Sequence, residues 1–220
     1  MMKMVFLSHP LSADTPSYGG AGEIKIGIEK SLRAGDSCNA QRWDVSNHAG
    51  THIDAPRHFY DEGQTVDSFP PEHWICHGVA VLHLPLAAPR WIGPEDIKGI
   101  PSDIDCLLVK TGFQSRRKEA AYATDNPGLS AELAFMLHNA FPALRFVGMD
   151  FISVSRFTDR HGGRAAHKAF LDPAQPIVPI EDMDLSPLRV DSAVRRLWVV
   201  PIRVTDADGA PVTVIAELAW

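Results

Sequence analysis

The segment Ser46-Asn47-His48-Ala49-Gly50-Thr51-His52-Ile53-Asp54-Ala55-Pro56-Arg57-His58 places four side chains able to bind a metal or move a proton, His48, His52, Asp54 and His58, close together. A helix would put His48 and His52 on one face but turn Asp54 away, and Gly50 and Pro56 both oppose helix here. An extended chain with local bends is expected instead. In it the side chains at 48, 52, 54 and 58 project toward one side, and Gly50 leaves room for an ion or a substrate against the backbone. Two imidazoles and a carboxylate suit Zn²⁺ or Mn²⁺, and the lack of nearby thiolates points to an open catalytic centre over a closed structural zinc site. A metal held this way lowers the pKa of coordinated water from about 15.7 to about 7. Imidazole is the side chain suited to exchanging protons near neutral pH, so His58 is then the group to take a proton from that water and pass it to a leaving group. The same spacing also fits a hydrogen-bonded polar turn.

Outward from this segment, strand-like stretches recur. Ile24, Ile26 and Ile28 alternate with polar or small residues, and 79–84, 106–110, 146–149 and 197–204 are short β-rich apolar runs. Asp206-Ala207-Asp208-Gly209 separates 197–205 from 212–216 and reads as a hairpin whose turn uses Gly209 for a positive φ. The clearest helix spans 131–140, capped by Ser130, with Leu133, Met136, Leu137 and Ala140 as its buried stripe. A second, short helix is expected around 164–170, ended by Pro173. With strands outnumbering helices, and no repeat or Pro-, Gly- or Ser-rich linker, residues 1–220 are expected to form one α/β domain with a mixed sheet core and few helices.

Composition narrows the function classes. Of 220 residues, 45% are hydrophobic and 22% charged, which allows a sizeable core. The net charge of −6 gives no electrostatic footprint for nucleic acid or an anionic membrane surface, and Arg116-Arg117-Lys118 is read as a solvated face. The apolar stretch at the start ends after Leu7, too short for a signal-peptide core, and no run approaches the roughly 20 apolar residues of a membrane span. A cytoplasmic protein is expected, with Cys38, Cys76 and Cys106 as buried thiols. Gly19-Gly20-Ala21-Gly22 is no nucleotide loop, because it lacks a following Lys-Ser/Thr and a helix start. Lone histidines such as His73, His77, His83 and His138 are read as structural, while His9, before Pro10 in an irregular segment, is open.

The run from His48 to His58 resembles the H-x-G-T-H-x-D-x-P-x-H signature of the cyclase-like metal-dependent hydrolases, a family that includes bacterial kynurenine formamidase (arylformamidase) and isatin hydrolase. Similarity extends to Leu11-Ser12 and Thr15-Pro16-Ser17-Tyr18, to Val147-Gly148-Met149-Asp150 and to Asp208-Gly209-Ala210-Pro211-Val212, so that nearly the whole chain is covered. The resemblance implies a swivelling β/β/α domain, assembled as a homodimer or homotetramer, acting on a small-molecule substrate. It implies one or two Zn²⁺ ions, with Mn²⁺ as the other candidate, held by His48, His52, Asp54, His167 and Glu181. It also implies His58 as the catalytic acid and base and Tyr18 as a substrate contact. His161 rivals His167, but the spacing of His167 to Glu181 fits the family pattern better, and His161, before Gly162-Gly163, is expected in a mobile loop. Where the family carries S-[IV]-D after the V-G-[IM]-D strand, this chain has Ile152-Ser153-Val154-Ser155-Arg156, and the loop from Arg156 to Arg164 differs in length.

These readings together point to a metal-dependent hydrolase of a C–N amide, with N-formylkynurenine or a related aryl formamide as the leading substrate. A lactam, lactone or isatin-type ring is the nearest alternative. Two histidines and a carboxylate also make the facial triad of non-haem iron oxygenases. A metal- or ligand-binding protein without turnover is the third class, against which the acid–base group at His58 speaks.

Overall fold

The computed structural model describes residues 2–20 and 24–219; of the Gly19–Gly22 run, Ala21 and Gly22 lie outside them. The strands are β1 (Met2–Phe6), β2 (Lys25–Lys30), β3 (Ala40–Asp44), β4 (His52–Asp54), β5 (Ile75–Cys76), β6 (Val79–His83), β7 (Trp91–Ile92), β8 (Cys106–Lys110), β9 (Gly128–Leu129), β10 (Phe146–Met149), β11 (Val178–Glu181), β12 (Ala193–Pro201) and β13 (Gly209–Ala219). Three α-helices are described, α1 (Ala120–Thr124), α2 (Ala131–Ala140) and α3 (Arg160–Phe170). One mixed sheet runs in the order β5-β12-β13-β4-β11-β10-β8-β6, with β1 added along β13. Because β12 also packs against β6, the sheet curls until its two ends approach.

β8 and β10 are continuous apolar runs because both of their faces are covered. They pair in parallel, Phe146 beside Cys106 and Met149 beside Val109. Leu107, Val109, Val147 and Met149 face a core closed by Tyr122, Leu133, Leu137 and Phe170 from the helices. Cys106, Leu108 and Phe146 face the opposite core, shared with Ile53, Val178, Ile180, Leu197, Val199 and Val214. The result is the expected mixed α/β fold in β/β/α layers, each large apolar side chain contributing about 1.5–3 kcal/mol on burial.

What positions the site is β4, three residues long and bonded on both edges. It pairs antiparallel with β11, His52 opposite Glu181, and with β13, Asp54 opposite Gly209. Alternation sends Ile53 into the core and puts His52 and Asp54 on the other face, where the register adds Glu181. The segment around β4 is less extended than its sequence implies. Residues 47–51 turn and bend, and 56–58 form a single 3₁₀ turn, so His48 and His58 reach the common face through turns. Gly50 is required for its φ of +64° and for Leu11, which a Cβ would approach to 2.6 Å, not for ligand space alone.

Several local expectations are corrected by packing. The second helix begins at Arg160, not Arg164: Asp159 caps it by accepting from the Gly162 amide, so the Gly162-Gly163 pair is helical and His161 sits in a first turn, not a mobile loop. In α2 the Ser130 hydroxyl accepts from Leu133, as expected, but the buried positions are Leu133, Ala134 and Leu137, and Ala140 is exposed. Between β12 and β13 the positive φ belongs to Asp206, not Gly209. Gly209 is needed because a Cβ there would lie 2.5 Å from the His48 ring. Cys76 and Cys106 are buried, whereas Cys38 is exposed.

Arg117 is no solvated cation. Its guanidinium holds Asp182, 1% exposed, with Nη2 2.7 Å and Nε 2.9 Å from the carboxylate, and the buried Tyr122 hydroxyl donates to the same group at 2.6 Å. The Asp182 carbonyl accepts from Thr51 Oγ1 at 2.6 Å, so this network ties the end of β11 to the start of β4. Removing one partner of a buried ion pair leaves an uncompensated charge, costing about 3–5 kcal/mol. Arg117→Met is therefore expected to lower the unfolding free energy in urea by about that amount, and a loss under about 1 kcal/mol would contradict the role assigned to this pair.

Candidate metal centre

His52 and His167 reach the site from opposite directions with the same internal arrangement. His52 Nδ1–H donates to the Gly50 carbonyl at 2.8 Å, which leaves the Nε2 lone pair facing Asp54 Oδ1 at 3.6 Å and Glu181 Oε2 at 3.4 Å. His167 Nδ1 lies 3.0 Å from the Gly163 carbonyl and from Ser155 Oγ, which leaves its Nε2 facing Asp54 Oδ2 at 3.3 Å and Glu181 Oε1 at 3.4 Å. All four residues are buried, at 5% exposure or less. Two acceptor nitrogens and two carboxylates thus converge with their lone pairs on one point. That arrangement is satisfied only by positive charge, and a nitrogen–oxygen donor set of this kind suits a borderline divalent ion. His52, Asp54 and Glu181 bring one ligand atom each within 4.8 Å of one another, as do His48, Asp54 and His58.

Without a cation, protons take its place. Burial lowers the His48 value, but hydrogen bonds and charge from Asp54 and Asp208 outweigh it and raise it to about 9. Burial likewise opposes protonation of His167, while Asp54 and Glu181 raise it to about 10. Burial raises Glu181, as does the Asp54 charge, yet the hydrogen bonds from His167 and His52 bring it down to about 2. Asp54, also pushed up by burial, is held well below the usual carboxylate range by His167 and His48.

His48 lies at the edge of the cluster, its Nδ1 2.7 Å from Asp54 Oδ1 and its Nε2 3.0 Å from Asp208 Oδ2. His58 stands beside it, ring centroids 4.1 Å apart, with Nδ1 2.8 Å from the same Asp208 oxygen. Both open onto a cavity of about 270 Å³ that also takes in Tyr18, Phe59 and Ile152. Every sequence-expected site residue, Tyr18, His48, His52, Asp54, His58, His167 and Glu181, therefore lines one hollow. His161 takes no part in it. A larger hollow beside Trp91 and Ser130, about 460 Å³, has no comparable set of converging donors. Of the background histidines, His73 stacks on Phe69 and is pushed down by burial to about 4, and His138 bonds the Ala169 carbonyl.

Some contributors were not legible. Phe59 stacks on the His167 ring at 4.9 Å, and Glu181 Oε1 accepts from the Val154 amide at 2.7 Å and the Ser153 hydroxyl at 3.1 Å. The segment that departs from the S-[IV]-D pattern thus still supplies hydroxyls and an amide to the site. Asp208 reads in the sequence as a turn residue at the head of the family-like Asp208-Gly209-Ala210-Pro211-Val212 run, and nothing there marks its side chain for the site.

A sequence profile of the family described as putative cyclase matches residues 5–156, which contain the whole histidine motif. The chain belongs to that family. Among curated relatives, a kynurenine formamidase of Bacillus cereus is 26% identical over 95% of this chain and 94% of its own length. Cyclase-like protein 3 of Arabidopsis thaliana is 28% identical over 95% of this chain and 77% of its own. Among solved structures, isatin hydrolase A from Labrenzia aggregata superposes with a TM-score of 0.83 at 20% identity, covering 100% of this chain and 94% of that one. That likeness shows the shared fold.

The proton-filled state has a measurable signature. A group whose folded pKa is raised stabilises the fold fully below its unfolded value, near 6.5, and loses that contribution as pH rises to the folded value. In chelator-stripped protein, Tm is expected to fall between pH 6.5 and about 9 to 10 as His48 and His167 lose their protons. Saturating Zn²⁺, which takes the place of those protons, is expected to suppress this fall. A stripped protein whose Tm is level or rising across the window contradicts the assigned electrostatics.

Proposed function

We propose that the chain is a metal-dependent hydrolase that cleaves a C–N amide bond, with an aryl formamide such as N-formylkynurenine as the leading substrate. The observation that carries this reading is the convergence of His52 Nε2 and His167 Nε2 on the buried carboxylates of Asp54 and Glu181. In the reading, these four residues and His48 hold one or two Zn²⁺ ions, Mn²⁺ being the other candidate. When bound, such an ion makes a water molecule acidic enough to lose its proton near neutral pH and draws electron density from a carbonyl oxygen. The protein's own residues supply the rest. Gly50, Gly163 and Ser155 fix the imidazole orientations, and Ser153 and the Val154 amide fix Glu181.

His58 is the proton carrier in this proposal. Its side chain is 31% exposed at the cavity, close enough to the cluster to take the proton of an attacking water and give it to the departing nitrogen. Tyr18, in edge contact with Phe157 at 5.5 Å, and Phe59 form aromatic walls suited to an aryl group. Burial raises the Tyr18 phenol, which stays neutral and able to donate. The oxygenase reading is disfavoured because Glu181 and His167 extend the donor set beyond two histidines and one carboxylate.

A second reading, opening of a cyclic amide, rests on the name of a solved structure that shares the fold, isatin hydrolase A; isatin, like an aryl formamide, carries an N-aryl amide bond. Assays on N-formylkynurenine, formanilide and isatin, each after chelation and metal add-back, separate the two readings. His58→Ala is expected to lower kcat by about 10²–10⁴-fold with bound metal unchanged. Full turnover in that variant would sink the proton-carrier assignment, and turnover indifferent to chelation would sink the metal.

A further inference from the structure

The hairpin joining β12 to β13 sets a carboxylate that none of the ligand assignments uses, that of Asp208, against the cavity-lining imidazoles of His48 and His58. Its backbone is pinned, since the Asp208 carbonyl accepts from the Ala55 amide at 2.8 Å and the next residue, Gly209, pairs with Asp54. The side chain is pinned as well: Asn47 Nδ2 donates to Oδ1 at 2.6 Å. The remaining oxygen, Oδ2, lies 2.8 Å from His58 Nδ1 and 3.0 Å from His48 Nε2. A carboxylate ionised in this setting only accepts, so the His58 proton belongs on Nδ1. Among the described residues, His58 Nε2 makes no hydrogen bond, and it is the nitrogen left to receive a proton.

We propose that Asp208, itself held by Asn47, is a positioning residue for His58: it fixes the Nδ1–H tautomer and the ring orientation, so that Nε2 is presented to the substrate as the base. This rests on the reading of His58 as the proton carrier. The dependence resembles that of any histidine base oriented by a carboxylate on its far nitrogen, where replacing the acid by its amide favours the wrong tautomer while leaving the shape intact. The shared oxygen offers one competing role, support of His48 at the metal.

The test uses full-length, Zn²⁺-loaded protein with formanilide as the probe. Asp208→Asn is expected to lower kcat by about 10²-fold or more, with KM changed less than about twofold, bound metal unchanged, and no further loss when it is combined with His58→Ala. Asp208→Glu, which keeps the acceptor, is expected to recover most of the asparagine deficit and carries the test should the asparagine variant not fold. The proposal is overturned if Asp208→Asn keeps its kcat, if glutamate is as deficient as asparagine, if bound metal is lost, or if the two losses multiply. Turnover that survives His58→Ala overturns the proton-carrier reading itself, whereas turnover that needs His58 but not Asp208 overturns only the positioning role.

Discussion

Two buried carboxylates set the terms for this structure. Asp54 and Glu181, 2% and 3% exposed, lie where both contact the same two imidazole nitrogens. Taking an ionised carboxylate out of water costs several kcal/mol, and bringing a second beside it adds repulsion. Only positive charge between them offsets that cost. The imidazoles cannot supply it as neutral acceptors, and their Nδ1 atoms are already committed to backbone carbonyls. The site is thus built around a cation, whether a proton shared among its histidines or a metal ion replacing it.

That constraint explains why so short a strand as β4 is bonded on both edges. His52 and Asp54 come from β4, Glu181 from β11 and His167 from α3, while Gly209 at the head of β13 clears space for His48. A slip of one residue in the β4–β11 register would turn His52 and Asp54 into the core and Ile53 onto the site. The register is defended by Ile53 in the core and by the Thr51–Asp182–Arg117–Tyr122 network at the strand's margin. Much of the fold's buried polar chemistry therefore serves to place four side chains.

The strands at 106–110 and 146–149 and the helix at 131–140 were legible because each is dominated by one local signal, an apolar run or a cap followed by a helical stripe. The convergence of His48, His52, Asp54 and His58 was legible from spacing, although turns bring it about instead of an extended chain. His167 and Glu181 came from the family resemblance, since nothing local marks them. Hidden features were those that only tertiary contact reveals. Arg117 looks solvated until Asp182 folds beneath it, Gly209 looks like a turn glycine until the His48 ring fills the space over it, and Asp208 looks like a turn acid until two imidazoles reach it. The start of α3 is not legible because Gly162-Gly163 argues against helix, a penalty offset by the Asp159 cap and by burial of Gly163, Ala166 and Phe170.

The proposed function rests on one claim: that the buried donor cluster holds a divalent metal. Elemental analysis of the purified protein, before chelation and after Zn²⁺ add-back, tests it most directly. The account predicts one to two equivalents of divalent transition metal per chain, removed by chelator, restored by Zn²⁺, and lost in Glu181→Gln. A folded protein that carries no metal and takes none up would contradict it.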